Sequence, residues 1–225
     1  MFRFFRPMTG CRFDFNGAAV EALANGALWW QEHALLCVAD LHLGKAERIV
    51  RQGGSLLPPY GTRETLNRLS LLVEALRPEV VICLGDSFDD VQAERGLARA
   101  DYISLATMMA GRHWVWIAGN HDPGPVEMGG AHLAELSLSP LTFRHIARPG
   151  ATAEISGHYH PKAQIRTRAG TLSRPAFLID ADRVSDDESY LIAHEIAKRV
   201  SNEMTFPGEI RVTVLRETRA IEIAR

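Results

Sequence analysis

VVICLGDSF, residues 80–88, is the stretch whose reading decides the fold. Val80 to Leu84 is a continuous apolar run, too short for a buried helix and suited to a strand covered on both faces. It stops abruptly at Gly85-Asp86, so a carboxylate stands where the strand ends. Two other segments repeat this pattern. Ala34 to Ala39 (ALLCVA) leads into Asp40-Leu41-His42, and Trp114 to Ala118 (WVWIA) leads into Gly119-Asn120-His121-Asp122. Helix-period segments lie between them. After a Pro58-Pro59 turn, Thr62 opens a stretch in which Leu66, Leu69, Val73 and Leu76 recur at helical spacing. Residues from about Gln92 to Ala110 read as a second helix, with Gly96 its weak point. Shorter strands are expected at Leu141–Arg144, Ala153–Ser156 and 171–179. Strands alternating with helices, followed by a run of strands, predict an α/β fold of layered, mixed β-sheets flanked by helices. Functional sites of such folds gather at the carboxyl ends of strands.

The polar residues fall at those ends. If the first strand continues through Asp40 and His42, residues two apart point the same way and a carboxylate and an imidazole converge. Gly85 lets backbone come close to a bound ion. His145 ends a later strand, and Gly157-His158-Tyr159-His160 ends the next, again with two imidazoles two residues apart. A lone His-x-His or Gly-Asp is more often structural than ligating; the ordered set is the signal. Imidazole and carboxylate donors suit manganese, iron or zinc, and the absence of cysteine from the set disfavours a structural zinc.

Bulk composition narrows the classes. A chain of 225 residues with a formal net charge of −2 has the size of one large domain and no global basic field. Contact with a polyanion would need metal or local arginines, of which Arg3, Arg6, Arg12, Arg48 and Arg51 are candidates, although scattered arginines usually form a solvated surface. Cys11, Cys37 and Cys83 show no paired spacing, which argues for a reducing compartment. No apolar run reaches the length of a signal core or a membrane span, so a cytoplasmic protein with no membrane partner is expected.

The order DLH, GDSF, GNHD, RH and GHYHP resembles the calcineurin-like metallophosphoesterase superfamily. Its wider context, VADLHLGK, LLPPYGTRETL, LGDSF and EISGHYHP, is similar to the bacterial ligase-associated DNA damage response endonucleases of the PdeM family, from about residue 10 to residue 184. That resemblance implies a metallophosphoesterase domain over 1–184 and two divalent metal ions, manganese foremost, with iron or zinc also suited. It implies Asp40, His42 and His160 on the first metal, Asn120, His145 and His158 on the second, and Asp86 bridging them. His121 would face the scissile phosphate and protonate the leaving oxygen or stabilise its charge. An anion between two dications offsets their repulsion, Asn120 adds an oxygen donor without charge, and an imidazole titrates in the range a leaving alkoxide needs. The implied activity is phosphodiester hydrolysis, with DNA as substrate and a DNA ligase and other repair proteins as partners. A phosphomonoesterase or small-nucleotide hydrolase is the rival enzyme, and a non-catalytic scaffold the rival class. All seven ligand positions and His121 are present, which weighs against the scaffold. Oligomeric state is left open.

Four further residues keep two readings each. Asp122 either orients His121 or caps a turn at Pro123-Gly124. Lys45 and Arg48 either approach a phosphate or lie on a solvated face, and Tyr159 either lines the substrate site or packs on a neighbouring strand. Two departures stand out. Asp89 occupies a place where the similar endonucleases often carry histidine. From Ser185 the chain instead resembles the C-terminal segment of ribonuclease Y. There a capping box (Ser185, Glu188), an apolar stripe (Ile192, Ile196, Val200), a break at Phe206-Pro207-Gly208 and an alternating run (Ile210, Val212, Val214) predict a helix-turn-strand tail over 185–225, to which no activity is assigned.

Overall fold

The three apolar runs form adjacent parallel strands at the centre of a seven-stranded sheet. In a computed structural model of the chain, which describes residues 10–53, 60–167 and 170–179, these are β4 (Leu35–Val38), β5 (Val80–Leu84) and β6 (His113–Ile117). Leu35 pairs with Val80 and Val80 with His113, so the strands start level and end level. The remaining strands of this sheet are β1 (Gly10–Phe15), β2 (Ala18–Leu23), β3 (Leu28–Trp30) and β7 (Ala131–Leu133), in the order β1-β2-β3-β4-β5-β6-β7. The Pro58-Pro59 turn and the 185–225 tail lie outside the described residues.

A three-stranded sheet of β8 (Glu135–Leu138), β9 (Leu141–Arg144) and β10 (Glu154–Ser156) covers one face of the larger one. Alternation decides which side chains meet it. Leu35, Cys37, Ile82, Leu84, Val115 and Ile117 point inward to Leu141, Phe143 and Ala153, and together they form one buried cluster. Each fully buried aliphatic side chain contributes about 1.5–3 kcal/mol relative to exposure. The intervening residues Leu36, Val81, Cys83, Trp114 and Trp116 are equally buried on the opposite face. Helices serve that face. Helix α1 (Lys45–Arg51) and α2 (Tyr60–Leu76) link β4 to β5, and α3 (Arg99–Met109) links β5 to β6. Both crossovers step the same way along the sheet, and right-handed connections therefore place their helices on the same side. Leu66, Leu69, Leu72 and Val73 of α2 and Leu105 and Met108 of α3 are buried there. This is the expected α/β sandwich of mixed sheets flanked by helices.

Three expectations need correction. The second helix starts at Arg99, not near Gln92. Residues 91–96 are turns, because the Asp90 carboxylate accepts the Gln92 N–H at 3.0 Å and the Arg51 guanidinium at 2.7 Å. Ala98 is extended (φ −57°, ψ 139°), so no helix runs through it. The strand placed at 171–179 is β12 (Gly170–Pro175), paired antiparallel with an unanticipated β11 (Lys162–Thr167). Strand β4 ends at Val38; Asp40 and His42 lie in a loop, with consequences described below.

The described residues divide between two units, Arg12–Tyr159 and a second one to which residues 10–11, 160–167 and 170–179 belong. Within the first, Cys37 and Cys83 are buried, and burial pushes both thiols well above the ordinary range. At pH 8 an alkylating reagent is therefore expected to modify Cys11 in the native protein and the other two only after denaturant is added. Mass spectrometry of labelled peptides checks this, and native-state labelling of Cys83 would contradict the buried placement.

Candidate metal centre

Because β4, β5 and β6 are parallel and level, the loops that follow them open on one edge. Strands β9 and β10 are also parallel to one another, and their ends carry His145 and His158. The loops after β4 and β5 are laced together by backbone: Asp40 N–H donates to Gly85, His42 N–H to Asp86 and Leu43 N–H to Ser87, at 2.9–3.3 Å. The two polar motifs are thus held side by side without a continuous strand. Asp40 (φ 52°), His42 (φ 45°), Asp86 (φ 47°), His158 (φ 71°) and His160 (φ 44°) all adopt left-handed backbone. Non-glycine residues in that region are strained by about 1–3 kcal/mol each and concentrate at functional sites. Among the described residues nine non-glycines have positive φ, and five of them are candidate ligands. The left-handed turns aim these side chains, where the extended-strand expectation would have used alternation.

Asp86, Asn120, His145 and His158 come together around one point. The side chains of Asp86, His145 and His158 each offer a ligand atom within 4.8 Å of the others. The Nδ1–H of His145 donates to the Leu84 carbonyl at 2.7 Å. Its Nε2 therefore carries no proton in the neutral ring, yet it faces Asn120 Oδ1 at 2.9 Å and Asp86 Oδ2 at 3.3 Å. Three acceptor atoms converge with no hydrogen between them. Such a set is repulsive by itself and becomes favourable around a cation, so these residues fit a divalent metal. Gly85 makes the arrangement possible: it sits at φ +75°, and a Cβ there would lie 2.5 Å from the His145 ring.

Asp40 and His42 lie in the neighbouring loop, and the His42 ring feels the charges of both Asp86 and Asp40. Both Asp40 oxygens accept the His158 N–H at 3.1 Å, tying the first loop to the GHYH loop. Burial lowers the His42 pKa, although Asp89, Asp86 and Asp40 raise it in part; the neutral ring is the form that ligates. His121 donates its backbone N–H to Asp86 Oδ1 at 2.9 Å, while its Nδ1 meets the Asp89 carbonyl at 3.0 Å. A carbonyl only accepts, so Nδ1 bears the proton and Nε2 is the nitrogen left for chemistry. The His42 and His121 rings stand 5.3 Å apart at right angles.

The surroundings of the four residues with two readings each are as follows. Asp122 neither orients the His121 ring nor caps the Pro123-Gly124 turn: its carboxylate accepts the backbone N–H groups of Asp86, Ser87 and Phe88 at 2.8–3.0 Å. It clamps the loop that carries Asp86. Burial pushes its pKa up, against the pull of those three donors. The Arg48 Nε donates to the buried Asp89 carboxylate and its Nη1 lies 3.4 Å from Gln52 Oε1. Lys45 is exposed on the first turn of α1. Tyr159 does not pack on a strand; it is 54% exposed, with its ring edge against His158 at 5.4 Å. His160 opens the second unit. Asp89, singled out in the sequence only as a departure from the similar endonucleases and given no role there, is buried as the fifth residue of the GDSFDD run.

Comparison with known proteins agrees with this geometry. Residues 33–164 match the family described as calcineurin-like phosphoesterase. The solved structure of Pseudomonas putida nuclease MPE is similar, with a TM-score of 0.62 and 29% identity, covering 76% of this chain and 82% of that one. Ribonuclease Y of Thermus thermophilus is 37% identical over 123 residues, 48% of this chain and 21% of the relative. Ribonuclease Y of Fusobacterium nucleatum is 52% identical over 48 residues, 21% of this chain and 9% of the relative. The chain thus spans 21% or less of the length of these ribonucleases. The family match takes in more than half of the chain and every cluster described above, and the chain belongs to the calcineurin-like phosphoesterases, metal-dependent hydrolases of phosphate esters.

Proposed function

We propose that this hydrolase is a phosphodiesterase with a dinuclear centre and that its natural substrate is DNA. One observation supports the dinuclear reading: Asp86 offers a ligand atom within 4.8 Å of those of His145 and His158, and its charge also acts on His42, which feels Asp40 as well. In this reading Asn120, His145 and His158 hold one ion, Asp40 and His42 the other, and Asp86 both. His160 is assigned beside Asp40 and His42 from the GHYHP motif alone. When bound, two divalent ions supply charge neutralisation at the phosphoryl group and activation of the attacking water. The chain itself does the rest. Asp122 holds the Asp86 loop, the Leu84 carbonyl turns His145 Nε2 inward, and the Asp89 carbonyl keeps a proton on His121 Nδ1, so that the doubly protonated ring would hand its Nε2 proton to the leaving oxygen and return to the neutral Nδ1–H form.

Similarity to nuclease MPE favours a polynucleotide over a small ester, since its identity reaches 29% over three quarters of the chain. Exposed Tyr159 beside His158 supports the same choice, because an exposed ring next to a metal centre suits stacking on a base. The motif context of the ligase-associated endonucleases extends the proposal to internal cleavage of DNA in repair, alongside a DNA ligase, with manganese as the working ion. No activity is assigned to the 185–225 tail.

Hydrolysis of bis(p-nitrophenyl) phosphate and of p-nitrophenyl phosphate tests the reaction class. Manganese-dependent cleavage of the diester, faster than the monoester and abolished by chelator, is the expected result. Cleavage of the monoester alone would replace this reading with a phosphomonoesterase, and no turnover with metal bound would replace it with a scaffold.

A further inference from the structure

We infer that Glu154 is a positioning residue that clamps the turn bearing His145 and so holds the donor group of Asp86, Asn120, His145 and His158 together. The inference rests on the metal-centre reading, and only on the part of it that concerns these four donors. In the three-stranded sheet Leu141 and Phe143 of β9 face the core, so Thr142 and Arg144 point to the opposite face. Register sets Glu154 of β10 beside Thr142 and Glu135 of β8 beside Arg144, which puts both glutamates on that outer face. There they meet the guanidinium. Arg144 Nε lies 2.7 Å from Glu154 Oε1, and Nη2 lies 3.2 Å from Glu135 Oε2. The side chains of Arg144 and Glu154 are only 10% and 9% exposed, so this ion pair is largely shielded from water.

Glu154 does more than neutralise an arginine. Its second oxygen, Oε2, accepts the backbone N–H of Arg148 at 2.9 Å. The segment from Arg144 to Arg148 leaves β9 with His145 as its second residue. One carboxylate therefore fastens both ends of that segment, at a side chain where it begins and at the backbone where it ends. Between the two, His145 is buried and its ring is turned by the Leu84 carbonyl. That ring contact sets the rotation of the imidazole; the clamp sets where the backbone carrying it stands. Glu154 also opens β10, the strand that leads to His158, and the His145 and His158 rings stand 5.0 Å apart. Both imidazoles are thus held from one carboxylate, as Asp122 holds the loop of Asp86. Outer supports of this kind orient the ligands that touch a metal.

Calorimetric titration of manganese into the full chain and its variants tests the clamp. Glu154→Ala leaves Arg144 paired with Glu135, so no buried charge is stranded. It is expected to weaken binding of one ion by about 10- to 100-fold. Glu154→Gln, which keeps an oxygen for the Arg148 N–H, should recover most of that loss. Glu135→Gln removes the same charge from the same cluster but meets the turn through the side chains of Arg144 and Arg148. Its affinity should stay within about threefold of wild type, because a partly exposed charge is screened. Should Glu154→Ala fail to fold, Glu154→Asp carries the test: it keeps the charge, is one methylene too short to span both ends, and should also bind manganese more weakly. Wild-type affinity in the folded Ala or Asp variant would overturn the inference. So would an equal loss in Glu135→Gln, which would trace the effect to charge and not to the clamp. Wild-type protein that binds a single ion would remove the dinuclear reading and leave the clamp to be judged on that ion, whereas one that binds none would overturn both.

Discussion

Replacing His121 with alanine is expected to lower kcat for phosphodiester hydrolysis by about 10²- to 10⁴-fold while both manganese ions remain bound. That is roughly 3–5 kcal/mol of transition-state stabilisation. The expectation follows from where the ring sits. His121 follows a candidate ligand, Asn120, but its own Nδ1 is taken by the Asp89 carbonyl, and only its backbone N–H touches Asp86. The side chain is therefore placed to move a proton, and the backbone contact that helps hold Asp86 survives the substitution. Metal content by mass spectrometry, measured beside kcat and KM, separates the two roles. An alanine variant that kept its turnover would take His121 out of the mechanism. One that lost its metal together with its turnover would make the ring a ligand.

The second large effect is expected at Gly119, which gives no sign of importance as a single small residue. A Cβ at this position would lie 2.5 Å from Asp122 Oδ1 and would also collide with the backbone nitrogen and Oδ1 of Asp86. Those atoms cannot yield cheaply. Asp86 is 2% exposed, and the Asp122 carboxylate holds the 86–88 loop by three N–H donors. Gly119→Ala should therefore push the clamp off the loop that carries Asp86. Overpacking of this kind costs about 1–3 kcal/mol, or roughly 2–12 °C in Tm for a chain of this size. Bound manganese should fall with it. Thermal melts and metal content measured together are the check; a variant with native Tm and full metal would show that the loops have room to spare.

Much of the layout was legible in the sequence because it rests on local pattern. Short apolar runs bounded by glycine have one good use in a folded chain, and Val80–Leu84 and Leu141–Arg144 appear as strands with the bounds the pattern suggests. The first three strands were passed over, although in β1 Cys11, Phe13 and Phe15 alternate with Arg12 and Asp14. A further signal was turn chemistry: Asn16-Gly17, at φ 55° and 86°, forms the left-handed pair that joins β1 to β2. The helix extrapolated back to Gln92 failed because a carboxylate–arginine contact, Asp90 with Arg51, governs that segment, and its two partners are 39 positions apart.

The sequence by itself determined the α/β class, the parallel strands and the polar residues that stand at their ends, since periodicity and residue chemistry are properties of adjacent positions. Tertiary structure alone decided how those residues act together. Left-handed turns at Asp40, His42, Asp86 and His158 point side chains that no strand alternation would have brought together. Asp122 became a backbone clamp, Arg48 a partner of a buried carboxylate, and the Asp89 carbonyl the acceptor for the His121 ring. Each of those roles depends on hydrogen bonds between residues 32 to 41 positions apart, and such a bond has no trace in the local sequence until the chain has folded.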